Sequence, residues 1–297
     1  MNRRPKSPRR LRHYTPLRYP GGKGKLAPYM KSLLKANKLL DGEYVEPYAG
    51  GSAIALELLF HEYVSKVHIN DISRAVYAFW NSVLNQPEKF CKLIRDTPIT
   101  PRTWDRQKKI FSTQSDFDDL ELGFATFFLN RTNRSGILNG GIIGGRSQTG
   151  TWKIDARFNR EELIFRIQSI AKMRGRIQLT RMDALKLLQK HGEKWPAKTL
   201  IYLDPPYYEK GRHLYYDFYQ PDDHAKIQGY LTTTLAKKLW LISYDNVQPI
   251  RSLYRNRQRI TYSVGYSARD ARQGDEVMFF SDALQKPPNA TRAAFTS

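Results

Sequence analysis

The run Thr199-Leu-Ile-Tyr-Leu203 is followed at once by Asp204-Pro-Pro-Tyr207, and this junction restricts the fold more than any other stretch of the chain. A short β-prone apolar run bounded by turn residues reads as a buried strand. The two prolines then prevent ordinary continuation of the strand or an immediate helix. What results is a stiff loop at a strand's carboxyl end, the place where open α/β sheets hold their ligands. The loop presents an acid, a backbone carbonyl with no N–H beside it and an aromatic ring. Such a set accepts hydrogen bonds from an amino group while stacking on a planar ring.

An α/β rhythm surrounds this junction. Tyr44-Val45 starts a strand that ends in Glu46-Pro-Tyr-Ala-Gly-Gly-Ser52, and a helix over 53–63 follows. A second strand, Lys66 to Asn70, is closed by Asp71. This β–loop–α–β order, with an acid about twenty residues past the glycines, is the plan of a nucleotide-binding half. The glycine loop lacks the full Gly-x-Gly-x-x-Gly fingerprint, which argues against a bound pyrophosphate. Asp71 suits ribose hydroxyls, or else caps a helix. The segment Pro16 to Lys23 permits close backbone approach through its glycines and offers Lys23 as a cation for a carboxylate. Asp183 is either a helix N-cap or a contact for a cofactor's adenine.

Between Pro98 and Asn159 the βαβ rhythm disappears. A helical stretch over 118–130 leads into the Gly- and Arg-rich segment Arg131 to Arg146, and a run of that kind usually signals function or an insertion. Residues 75–160 are expected to be a mostly helical inserted module, residues 1–15 a flexible basic arm and residues 286–297 a disordered tail. The α/β rhythm resumes with a helix over 161–173, a strand over 176–180, a helix over 184–191 and the strand 199–203. A helix over 222–238, a strand over 239–243 and a terminal hairpin (260–266 and 276–281) complete the expected elements.

Partner classes follow from charge. The 297 residues carry 49 Lys+Arg against 28 Asp+Glu, a formal net charge of +21, which favours a polyanionic partner and nucleic acid first. Cys91 is the one cysteine, so no intrachain disulfide or Cys-rich zinc site can form, and the six histidines lack the spacing of a metal motif. No metal is therefore expected. No apolar run approaches a membrane span and no signal peptide is evident. The chain reads as soluble and cytoplasmic, associated with the nucleoid through DNA.

These pieces, in this order, carry a resemblance. Leu17-Arg-Tyr-Pro-Gly-Gly-Lys23, the loop Glu46 to Ser52, Asp71, the segment Phe128 to Gly136 and Asp204-Pro-Pro-Tyr207 together resemble the Dam-like family of DNA adenine-N6 methyltransferases, over residues 16 to 282. The resemblance implies an α/β, Rossmann-like, seven-stranded class I methyltransferase sheet built from residues 16–74 and 161–285. Residues 75–160 would be its target-recognition module. It implies S-adenosyl-L-methionine as cofactor. Tyr19, Gly22 and Lys23 would lie near its methionine end. Glu46, Pro47, Tyr48 and Gly50 would line its loop, Asp71 would hold the ribose, Ile72 and Asp183 would lie near the adenine, and Asp204 would border it. Asp204, Pro205, Pro206 and Tyr207 would be the catalytic set, with Asp204 and the Pro205 carbonyl accepting the N6 hydrogens, Pro206 holding the turn and Tyr207 stacking on the base.

The implied substrate is double-stranded DNA with the target adenine flipped out of the stack. Arg131, Asn133, Arg134, Arg146 and Lys153, with Arg157, are candidates for phosphate or base contacts, or for a solvated surface. The hairpin connection, with Arg269 and Arg272, is expected to border the DNA. The class admits a cognate restriction endonuclease as partner, and the chain is expected to act as a monomer. Cytosine-N4 methylation suits the same tetrapeptide; a nicotinamide oxidoreductase or a DNA-binding protein without catalysis fits it less well.

Overall fold

The computed structural model describes residues 13–18, 23–208, 219–265 and 273–287. Its centre is a seven-stranded sheet in the order β3-β2-β1-β4-β5-β7-β6. The strands are β1 (Gly42–Glu46), β2 (Val64–Asn70), β3 (Ile177–Thr180), β4 (Thr199–Leu203), β5 (Leu239–Asp245), β6 (Arg259–Gly265) and β7 (Gln273–Phe280). The first five run parallel, and β7 enters antiparallel between β5 and β6. From β1 the chain moves outward through β2 and β3, then returns to place β4 beside β1. That reversal opens a crevice at the carboxyl ends of β1 and β4.

Both sheet faces are covered. Along β4 every residue is buried. Leu200 and Tyr202 enter one apolar cluster, with Tyr44, Val67, Leu241 and Met278, while Ile201 and Leu203 enter the other, with Val45, Trp240, Ile242 and Phe279. The side-chain period of two sets this division.

Ten described helices flank the sheet: α1 (Ala27–Ala36), α2 (Ala53–Phe60), α3 (Arg74–Asn85), α4 (Pro87–Asp96), α5 (Pro101–Ser112), α6 (Asp119–Thr132), α7 (Arg160–Lys172), α8 (Ala184–His191), α9 (Pro221–Thr232) and α10 (Gln248–Leu253). Residues 74–96 form two helices, broken at Gln86 because Pro87 cannot continue the preceding ladder and instead takes the first position of α4. Helix α9 stops at Thr232, inside a run of three threonines whose branched side chains are poor helix formers, short of the expected 238.

The helices within 75–160 share the sheet's core: Phe79, Phe90, Phe127 and Phe158 lie in the same apolar cluster as Leu200 and Leu241. Helix α6 opens on a capping box between Asp118 and Glu121 and is buried from Leu122 to Thr132. It crosses α3 so closely that a Cβ at Gly123 would stand 2.5 Å from the carbonyl oxygen of Ala78. Residues 13–15, expected as part of the basic arm, are held in place. The Tyr14 ring stacks on Phe60 at 4.4 Å, and the Thr15 hydroxyl donates to the carbonyl of Gly51 at 2.5 Å. The rest of the arm (1–12), the positions Tyr19 and Gly22, the connection 266–272 and most of the tail (288–297) lie outside the described residues. Among the described residues, no helix is long and apolar enough to cross a membrane.

Candidate active site

A cavity of about 730 Å³ occupies the crevice at the carboxyl ends of β1 and β4. Strand ends and the helices that follow them supply its walls. Lys23 comes from the turn before α1, Glu46 to Ala53 from the β1–α2 loop, Asp71 and Ile72 from the end of β2, and Asp204 and Pro206 from the end of β4. Residues 136–139, from the Gly-rich segment after α6, close another side.

In the β1–α2 loop, Glu46 is 4% exposed, and its Oε1 accepts from the Tyr44 hydroxyl (3.1 Å) and from the amide of Ala55 (3.2 Å). No described residue engages Oε2. Burial dominates this carboxyl and pushes its pKa up to about 8, against the two hydrogen bonds that work to lower it. Gly50 adopts a left-handed φ of 45°; its amide donates to Asp71 Oδ2 at 2.9 Å and its carbonyl accepts from the Trp80 indole at 2.9 Å. The other Asp71 oxygen accepts from the amide of Ser73 at 3.0 Å. Beside it Ile72 stands 46% exposed at the cavity wall.

The β4 loop is braced from three directions. Asp204 Oδ1 accepts from the Ser243 hydroxyl at 2.7 Å and lies 3.2 Å from Lys23 Nζ. The Tyr207 hydroxyl donates to Glu276 Oε1 at 2.6 Å, and the Tyr208 amide to Asp245 Oδ1 at 2.9 Å. Glu276 is fully buried on β7; its Oε2 takes Lys23 Nζ at 2.5 Å and the Tyr262 hydroxyl at 2.7 Å.

One ammonium thus serves two carboxylates, and unequally. Burial works to raise the Glu276 carboxyl, but Lys23 and the two tyrosine hydroxyls outweigh it and hold the group below its ordinary value. Burial also raises Asp204, and there the more distant Lys23 does not fully compensate, so Asp204 stays above the usual carboxylate range. Lys23 itself, which burial alone would lower, is held above its ordinary value by both acids. Asp204 Oδ2 has no partner among the described residues, so the carboxylate has one oxygen fixed and one open.

The expected site residues are only partly brought together. Lys23, Glu46, Pro47, Tyr48, Gly50, Asp71, Ile72, Asp204 and Pro206 all line the cavity. Asp183 caps α8 by accepting from the Lys186 amide at 3.0 Å, while its neighbours Met182 and Ala184 reach the wall. Pro205 is buried and no described group donates to its carbonyl. Lys23 points to the two acids rather than being held for a cofactor carboxylate. Tyr207 departs from the expected base-stacking position: it is 6% exposed, with its hydroxyl on Glu276 and the Lys23 ammonium 5.6 Å from its ring centre.

Among the candidate DNA contacts, Asn133 is fully buried. Its side-chain oxygen accepts from the Trp104 indole at 2.6 Å, and its amide donates to the carbonyls of Ile137 (2.8 Å) and Leu138 (3.0 Å), which leaves no group for a base. Arg146 forms a bidentate pair with Asp105, both bonds at 2.8 Å, and Lys153 donates to the carbonyl of Gln148 at 2.6 Å. Arg134 is exposed, whereas Arg131 is buried in the last turn of α6. Sequence reasoning missed Ser243, Asp245 and the bracing role of Glu276. A signal existed for Glu276, an acid set directly before Val277-Met-Phe-Phe280 in an apolar strand.

A family model described as D12 class N6 adenine-specific DNA methyltransferase matches residues 19–267. No curated protein matches the chain. Among solved structures, the rRNA methyltransferase aviRa from Streptomyces viridochromogenes is 13% identical, covering 91% of this chain and 90% of that one, with a TM-score of 0.37. A putative methyltransferase, yhhF, from Escherichia coli is 11% identical over 86% of this chain and 85% of that one, with a TM-score of 0.35. Neither likeness is close enough to carry functional information.

Proposed function

Because the chain belongs to the D12 class N6 adenine-specific DNA methyltransferase family, we propose that it methylates N6 of an adenine flipped out of duplex DNA at a defined sequence, with S-adenosyl-L-methionine as methyl donor. The observation that carries this reading is the state of Asp204: a half-buried carboxylate with Oδ1 tied to Ser243 and Lys23 and Oδ2 open among the described residues, at the wall of a cavity shared with Glu46 and Asp71.

The residues present fit that cofactor. Glu46 is a buried acid with one oxygen open and its pKa pushed up to about 8, which is what a carboxylate waiting for an ammonium looks like. Asp71 would receive the ribose hydroxyls, and Ile72 offers an apolar face for adenine. The cofactor, when bound, supplies an electrophilic sulfonium methyl.

The chain's own residues supply geometry and charge. Adenine N6 is a poor nucleophile because its lone pair is delocalised into the ring. The open Asp204 oxygen and the free carbonyl of Pro205 accept the two N6 hydrogens and bias the nitrogen toward a tetrahedral arrangement. Positive charge that develops on N6 is then stabilised by a carboxylate already oriented by Ser243 and Lys23, so little reorganisation accompanies the reaction. Glu276 keeps Lys23 from neutralising Asp204 completely. The target atom is inaccessible in stacked duplex DNA, so the base must leave the helix to reach the cavity.

The test is transfer of tritiated methyl groups to duplex DNA, with nucleoside mass spectrometry of the product. N6-methyladenine is the expected product; absence of transfer from S-adenosyl-L-methionine, or N4-methylcytosine as the product, overturns the reading.

A further inference from the structure

Across the segment 13–18 from the active-site cavity lies a second pocket of about 340 Å³, in which Thr15 and Leu17 line both spaces. Four arginines line it: Arg18, Arg131, Arg157 and Arg166. Among the described residues, the one acid in its wall, Glu162, pairs with Arg166. No carboxylate pairs with Arg18, Arg131 or Arg157 among the described residues.

Arg131 is 9% exposed and its Nε has no hydrogen-bond partner among the described residues; Arg166 is 8% exposed, and its Nε likewise has none there, although its terminal nitrogens bind Glu162 and the carbonyl of Thr15. Burial, and then repulsion from Arg166, Arg18 and Arg157, pushes the Arg131 pKa down to about 9. A buried, unpaired guanidinium is costly, and convergent like charges add to that cost. The fold nevertheless holds them together. Asn130 clamps Arg18 by accepting from its amide and donating to its carbonyl, both at 2.7 Å. Gly136, at φ 75°, approaches so near that a Cβ there would stand 2.6 Å from the carbonyl oxygen of Arg18.

We propose that this pocket is a phosphate site, and that its occupant is a backbone phosphodiester of the DNA strand whose nucleotide enters the neighbouring cavity. A tetrahedral group with several acceptor oxygens satisfies converging guanidinium forks as a single carboxylate does not. The pocket opens to the surface, and Arg157, exposed at its rim beside Trp152, supplies a cation that an incoming strand meets first. The assignment rests on the reading above that duplex DNA is the substrate. A free phosphate or mononucleotide would use the same chemistry, and the experiment separates the sources.

Affinity for a fluorescent 24-base-pair duplex is measured at salt concentrations from about 50 to 200 mM for the wild type, Arg131→Met, Arg157→Met, Arg131→Lys and the remote surface control Lys190→Met. Each Met variant in the pocket is expected to reduce the salt slope by about one and weaken binding about tenfold, while Arg131→Lys restores the slope and Lys190→Met changes neither. Arg157 is exposed, so its variant tests the site without disturbing the core. Unchanged slopes in both pocket Met variants overturn the proposal. Stabilisation of the wild type by inorganic phosphate alone, with DNA slopes unmoved, overturns the DNA assignment in favour of a free anion. Methyl transfer by the same wild-type preparation separates the two readings. Transfer with unmoved slopes sinks the pocket alone, and lost slopes without transfer leave the pocket standing while the catalytic reading fails.

Discussion

The Tyr207 hydroxyl stands 2.6 Å from Glu276 Oε1, a hydrogen bond between residues 69 positions apart that joins the loop after β4 to a fully buried acid on β7. The same acid holds Lys23 through its other oxygen, at 2.5 Å. Glu276 thereby sets both the position of the strand-end loop and the charge seen by Asp204.

Replacing Glu276 by Gln keeps the shape and removes the charge. Lys23 then turns wholly to Asp204 and weakens it as an acceptor. Breaking a buried pair on one side costs about 3–5 kcal/mol, so urea denaturation should show a loss of that order. We expect kcat to fall at least tenfold with a smaller change in KM for DNA; wild-type kcat in a folded variant would contradict the bracing role.

Asp204→Ala removes the open acceptor oxygen and should abolish methyl transfer while leaving the circular dichroism spectrum unchanged. Asp204→Asn keeps an acceptor oxygen but loses the charge, and should retain activity reduced about 10²–10³-fold. Transfer of tritiated methyl groups measures both.

Glu46 gives a pH dependence whose sign is fixed by its raised pKa. The folded protein holds a proton on Glu46 up to about pH 8, whereas the unfolded chain releases it near the ordinary value of 4.5. Stability from this group is therefore full below the unfolded pKa and declines as pH rises toward 8. A cofactor ammonium favours the ionised form, so affinity for S-adenosyl-L-methionine should tighten between pH 6 and 7.5, by up to about tenfold per unit. Calorimetry over that range checks it, and Glu46→Gln should flatten the dependence.

Gly123→Ala tests the packing of α6 on α3. The added methyl meets the backbone of Ala78, which cannot rotate away, so we expect a loss of about 1–3 kcal/mol in thermal denaturation.

Much of this architecture was legible in the chain. The apolar run Thr199–Leu203 needed no partner to read as a buried strand, and α8 covers the expected residues, its start fixed by the Asp183 cap. The glycine loop and Asp71 stand where a βαβ unit demands them. Asn133 misled, since an Asn in a Gly- and Arg-rich segment reads as a surface contact until Trp104, Ile137 and Leu138 are seen to saturate it.

What the sequence determined by itself was therefore local: the order of strands and helices, the turns that end them and the acids that follow the strands. Propensity, periodicity and proline act over a few neighbouring residues, and they can be read wherever they occur. The tertiary structure alone decided which charges meet. Inserting β7 between β5 and β6 sets the backbone of Glu276 in register with that of Asp245 and carries the Glu276 side chain to Tyr207 and Lys23. Clamping of the segment 13–18 by Asn130 and Arg166 gathers four arginines around one pocket. Such meetings depend on sheet order and register, which are set by the burial of whole faces rather than by any short stretch of chain.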